Sequence, residues 1–187
     1  MNHAETLVAI LSADPVRRHT LGLVYSLGLP DCWIGAGFVR NAVWDHLHGR
    51  SPSRLAGDVD VIWFHPKQAH PSDDRKLEAA LRASESSISW SVKNQARMHL
   101  RNGDAPYFSA VEAMRCWPET ATAVAARQTK GGTYEIAAPF GIDDLFTLTL
   151  RPTPRFRGEK HGVYLDRVRQ KGWLEKWPLL RMKDDHD

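Results

Sequence analysis

The spacing of apolar residues along the first third of the chain switches from helical to extended, back to helical, and then to extended again. Leu21, Leu23, Val24 and Leu27 give residues 15–28 one apolar face, behind an Asp14 N-cap and a Pro15 whose missing N–H costs nothing at the first helical position. A shorter helix is expected over residues 5–12. Around Cys32–Ile34 the pattern becomes a short strand, which passes through Gly35-Ala36-Gly37 into a helix with Val39, Val43 and Leu47 at i, i+4 and i+8, ended by Gly49. Ser51-Pro52-Ser53 reads as loop. From Asp58 to Phe64 the period is two, so Val59, Val61 and Trp63 share one face of a strand and Asp58 and Asp60 the other, with Pro66 closing it.

Further on, Ser72-Asp73-Asp74 caps a helix to about Ser84, and Ile88, Trp90 and Val92 alternate with polar residues in a half-buried strand. Ser109 and Glu112 form a capping box for a short helix toward Cys116. Thr120–Gln128 and Thr133–Ala137 flank Lys130-Gly131-Gly132 as a hairpin. Leu145–Leu150 is compatible with helix or strand, and one helix is expected near residues 162–176. This interleaving predicts an α+β fold, a short mixed β-sheet with helices packed against it, over residues 1–152. Residues 153–187 form a basic C-terminal helical extension packed on that domain.

Composition narrows the function classes. No apolar run approaches the roughly 18 residues of a membrane span, and the opening residues lack a signal-peptide pattern, so a cytoplasmic protein without a membrane partner is expected. Cys32 and Cys116 have no metal-ligand spacing, which argues against a zinc site or a disulfide framework. The net charge of +3 conceals an asymmetry: residues 151–183 hold 10 Lys/Arg against 3 Asp/Glu. Such an excess either steers an anionic substrate or nucleic acid or forms a solvated surface. The seven tryptophans are scattered and read as core or pocket wall.

The chemistry concentrates in two places. A Gly-x-Gly turn at a helix N-terminus offers backbone N–H groups to phosphates, with the helix dipole adding favourable potential, and Gly35, Ala36 and Gly37 suit a triphosphate. Arg40, one turn on, either reaches a phosphate or pairs with Asp45 or Asp60. Asp58 and Asp60, at i and i+2 of a strand, can grip Mg²⁺ (or Mn²⁺), which is usually held by one or two carboxylates together with substrate phosphates. Lys93, Asn94, Arg97 and His99 form a dense polar group after an apolar strand, suited to base, ribose or phosphate. The separation of Gly37 and Asp58 leaves room for one helix and a return loop, which brings metal next to phosphate.

Ile34-Gly35-Ala36-Gly37, a helix, then Asp58-Val59-Asp60-Val61-Ile62 resembles the DNA polymerase β-like nucleotidyltransferase superfamily. Gly37-Phe38-Val39-Arg40-Asn41 also looks like the opening of the tRNA CCA-adding enzymes, with Asn41 where those have Asp. Val92–His99, Trp117–Ala121 and Ala138–Phe146 extend the likeness, over nearly the whole chain, to a compact bacterial family of uncharacterised nucleotidyltransferase-like proteins. The resemblance implies the nucleotidyltransferase fold and transfer of a nucleoside monophosphate from an NTP to an acceptor hydroxyl, with release of pyrophosphate. The acceptor stays open among a small molecule, a protein and RNA, as does the oligomeric state. It also implies a third carboxylate on a neighbouring strand, for which Glu135 is the candidate; an exposed strand-face Glu is the alternative. If Glu135 does not converge on the aspartates, a catalytically weak or inactive nucleotide-binding or regulatory protein becomes the rival, and a nucleic-acid-binding module using the basic tail is the other.

Overall fold

The computed structural model describes residues 2–51, 54, 55 and 57–183; Pro52 and Ser53 of the expected loop, and residues 184–187 of the extension, lie outside these. The elements run α1 (His3–Ala13), α2 (Pro15–Ser26), β1 (Trp33–Gly35), α3 (Gly37–Leu47), β2 (Val59–Trp63), α4 (Pro71–Ser84), β3 (Trp90–Asn94), α5 (Met98–Asn102), α6 (Ala110–Met114), β4 (Ala125–Gln128), β5 (Tyr134–Ala137), α7 (Asp143–Phe146), β6 (Thr149–Leu150), α8 (His161–Lys171), α9 (Trp173–Lys176) and β7 (Arg181–Met182). Asp14 caps α2 through the amides of Val16 and Arg17, as expected. The α4 cap is His70 rather than Ser72: its ring accepts from the Ser72 amide, and Pro71 takes the first helical position.

Five strands form one mixed sheet in the order β3-β2-β1-β4-β5. Only β2 and β3 are parallel, joined through α4 in a βαβ unit; the other neighbours are antiparallel. The stretch Thr120–Val124, expected to extend the hairpin, instead curls into turns on the Glu119 and Thr120 carbonyls, and the strand starts at Ala125. Leu145–Leu150 resolves into the end of α7 and then β6, which pairs in parallel with β7. The expected helix over 162–176 is broken at Gly172, whose φ of +59° stops α8 and starts α9.

One face of the sheet carries Ile34, Val59, Val61, Trp63, Trp90 and Val92 into the main core, together with Leu7, Leu11, Leu21 and Trp44 from the helices. Tyr164, Val168, Trp173 and Trp177 from the basic C-terminal segment are buried in that same cluster. Two hydrogen bonds fix the segment on α3: Trp177 Nε1 donates to Asp45 at 2.8 Å, and the Leu179 amide donates to His48 Nε2 at 3.1 Å. The opposite face of the sheet holds a smaller cluster of Trp33, Ile62, Ala110, Met114, Ala125 and Ala137. Among the described residues no helix is long and apolar enough to cross a membrane.

Candidate active site

Strand alternation sends Asp60 to the face with the smaller cluster, where it stands directly across from Gly35 on β1 and Ser91 on β3. A cavity of about 490 Å³ opens over this face. Its floor is Asp60, Ile62, Ser91 and Lys93; Ala36 borders it at the head of α3, and Trp117 and Thr122 form one wall. Asp58 is exposed at the entry to β2, and Ser89 Oγ donates to it at 2.6 Å. Asp58–Ser89, just ahead of the ladder, and Asp60–Ser91 within it are thus Asp–Ser pairs two residues apart, with Val59–Trp90 between them. Burial and the Asp58 charge push the Asp60 carboxyl above the usual carboxylate value; the Ser91 hydroxyl and the cations Arg167 and Lys171 oppose them.

The turn before α3 divides its work differently from expectation. Gly35 and Gly37 do not adopt positive φ; Ala36 does, at φ +52° and ψ −121°. Gly35 is required by contact instead, since a Cβ there would lie 2.7 Å from the Trp117 ring. Ala36 caps α3 without a side-chain hydrogen bond, and the first intrahelical bonds run from Val39 and Arg40 to its carbonyl at 3.2 and 2.9 Å. The amides of Gly37 and Phe38 ahead of them have no protein acceptor among the described residues, leaving an anion-attracting helix head beside Asp60.

Several expected ligands face elsewhere. Arg40 reaches neither the cavity, Asp45 nor Asp60: it is buried, donates to Asn41 Oδ1 at 2.9 Å and Thr122 Oγ1 at 3.2 Å, and lies over the rings of Trp44 and Trp173. Burial pulls its pKa down to about 10. Asn94 is fully buried and ties His65, Gln68 and Ala96 backbone groups together, while Arg97 ion-pairs with the buried Asp74. These two brace the end of β3, and of that polar group only Lys93 lines the cavity. Glu135 does not join the aspartates. Three strand spacings, β2 to β1 to β4 to β5, put it about 14 Å away across the sheet, and its carboxylate accepts from Arg127 Nε at 2.7 Å on the neighbouring strand. It lines a separate cleft with Leu21, Tyr25 and Cys32. Among the described residues no group of three or more His, Cys, Asp or Glu is placed to hold a metal.

The sequence reading missed the residues opposite the floor. Arg101 and Asn102 of α5, Arg155 and Phe156, Lys160, and Arg167 of α8 also line the cavity. The signal available was the basic excess after residue 150 interleaved with Trp173 and Trp177, whose burial turns that segment inward. Arg167 Nε donates at 2.8 Å to Glu119, a fully buried carboxylate whose other oxygen has no hydrogen-bond partner among the described residues, so the guanidinium is held at the cavity edge.

A short mixed sheet presenting an Asp-x-Asp pair beside a glycine turn at a helix head defines the nucleotidyltransferase class. Residues 23–182 match the family model described as Nucleotidyltransferase, and the chain belongs to that family. It is similar to an NMR structure described as revealing a CCA-adding enzyme head domain, with 34% identity over 96% of this chain and 95% of that one and a TM-score of 0.85. A tRNA-processing enzyme in apo form shares the fold at 16% identity and TM-score 0.56, covering 89% of this chain and 42% of its own. The Bacillus stearothermophilus CCA-adding enzyme in complex with CTP does so at 19% identity and TM-score 0.50, covering 85% and 39%. This chain thus spans less than half the length of those two enzymes. The comparison with curated proteins gives no match.

Proposed function

We propose that this protein transfers a nucleoside monophosphate from an NTP to an acceptor hydroxyl. The observation that carries the reading is one cavity containing Asp60, the α3 head at Ala36 and a set of cationic side chains. The family supports nucleotidyl transfer in general, and a related fold has been captured with CTP.

Asp58 and Asp60 fit a divalent cation: two carboxylates share one strand face, and Asp60 is already raised by burial and its neighbour's charge, a cost that a cation relieves. Bound Mg²⁺ would neutralise phosphate charge and polarise the α-phosphorus. The free amides at the α3 head and Arg167 bind the triphosphate, and Lys93 adds positive charge at the floor. The acceptor oxygen attacks the α-phosphorus, the bond to the α,β-bridging oxygen breaks, pyrophosphate departs and the hydroxyl proton is lost to water.

Ser91 and not a carboxylate stands beside Asp60 on β3, and this favours a second reading: nucleotide binding with weak or no transfer. Calorimetric titration of the four ribonucleoside triphosphates, with and without Mg²⁺, against wild type and the Asp58→Asn/Asp60→Asn double variant tests the site. Mg²⁺-dependent binding confined to wild type is expected; equal binding by both proteins removes the aspartates from it. Release of pyrophosphate in an acceptor screen then separates transfer from binding alone.

A further inference from the structure

The cations of the cavity fall into two groups. Lys93 on the floor and Arg167, whose charge reaches Asp60, stand at the aspartate end, and Arg167 is already engaged by Glu119. Arg101, Arg155 and Lys160 enter from α5 and from the segment before α8. Arg155 is firmly built in: it ion-pairs with Asp104, whose side chain is only 4% exposed, and donates to the Asn102 carbonyl at 3.1 Å. Asp104 in turn accepts from the Tyr107 hydroxyl, and Asn102 Nδ2 donates to that hydroxyl at 3.1 Å. This Asp–Tyr–Asn brace, with Tyr107 buried, fixes one guanidinium at the cavity wall. Arg101 and Lys160 flank it with no ion-pair partner among the described residues.

We infer that Arg101, Arg155 and Lys160 form a second anion subsite, which takes the phosphate of a small phosphorylated acceptor. This rests on the nucleotidyl-transfer reading of the Asp58–Asp60 end. A triphosphate there is already served by the α3 head, Arg167 and Lys93, so the three cations of the other wall are surplus to it. Positive charge gathered on a concave wall is a standing cost that a bound anion offsets, and Arg is suited to phosphate because its planar fork donates two parallel bonds. The acceptor is small because the subsite lies within the same cavity of about 490 Å³, which Phe156 and Met98 also line, a volume typical of small-molecule sites.

The probe is ribose 5-phosphate, with ribose and inorganic phosphate as companions, titrated into protein saturated with Mg²⁺ and an α,β-methylene NTP analogue. Ribose 5-phosphate and phosphate are expected to bind, with ribose weaker by at least about tenfold. In Arg101→Ala/Lys160→Ala, phosphate affinity falls about tenfold while analogue affinity stays within about twofold. Both side chains are exposed, so the fold is retained, and the single Arg101→Glu variant gives the same loss by charge reversal. Equal loss of analogue and phosphate affinity overturns the inference, because the cations then hold the triphosphate. Absence of phosphate binding to wild type overturns it too, as does a single-stranded RNA oligonucleotide binding through Arg101 and Lys160 where ribose 5-phosphate does not. If wild type binds no analogue but still binds phosphate through Arg101 and Lys160, the transfer reading fails and the anion subsite stands.

Discussion

The Trp117 ring lies against the backbone of Gly35, so close that a Cβ on Gly35 would sit 2.7 Å from its nearest ring carbon. One contact thus joins the strand that faces Asp60 to the cavity wall. Gly35→Ala is expected to lower stability by about 1–3 kcal/mol through overpacking. Thermal unfolding checks this, and Trp117→Leu in the same chain should recover part of the loss.

Ala36 holds a conformation that glycine adopts without strain. Backbone strain at a non-glycine residue costs about 1–3 kcal/mol, against roughly 0.5–1 kcal/mol for the extra freedom glycine gives the unfolded chain. Ala36→Gly should therefore stabilise the protein by about 1 kcal/mol, measured by urea unfolding.

Asp60 and Glu135 should separate cleanly in nucleotide binding. Asp60→Asn is expected to abolish Mg²⁺-dependent NTP binding, whereas Glu135→Gln, which alters the Arg127 pair on β4 and β5 beside a separate cleft, should leave it unchanged. Side-by-side calorimetry decides it: loss of binding in Glu135→Gln would return that residue to the site.

Removing Arg167 strands the buried Glu119 carboxylate without its cation. Arg167→Ala should cost about 2 kcal/mol, below the value for a fully buried pair because Arg167 reaches solvent. Glu119→Gln on that background should restore most of the loss, as read by chemical unfolding.

Cys32 links stability to alkaline pH. Burial pushes its thiol from 9.0 up to about 12, so between those values the folded state keeps a proton that the unfolded state releases. That contribution is complete below about pH 9 and is lost as pH rises toward 12. Unfolding curves from pH 8 to 10.5 should fall more steeply for wild type than for Cys32→Ala.

What the sequence made legible was local. The strand, glycine turn and helix at residues 33–47 and the alternation at Val59–Trp63 are set by near-neighbour periodicity, and their bounds agree closely with the structure. Glu135 was misjudged because strand order is a tertiary property: nothing near Tyr134-Glu135-Ile136 says that β4 lies between its strand and β1. Arg40 was read as reaching a phosphate or pairing with Asp45 or Asp60, because Trp173, the more closely stacked of its two covering rings, is remote in sequence. Likewise the inward turn of Arg155, Lys160 and Arg167 depends on where Trp173 and Trp177 dock.

That docking has a consequence for how the protein comes into being on the ribosome. The floor of Asp60, Ile62, Ser91 and Lys93 is complete once β3 has paired with β2, but Arg155, Lys160 and Arg167 of the opposite wall arrive only when residues 155–177 have been synthesised and seated on α3. A nascent chain therefore presents its aspartates on an open sheet, with Lys93 in place but without Arg155, Lys160 and Arg167. The enclosed cavity is thus acquired late, and only by a polypeptide made through its tryptophan-bearing segment.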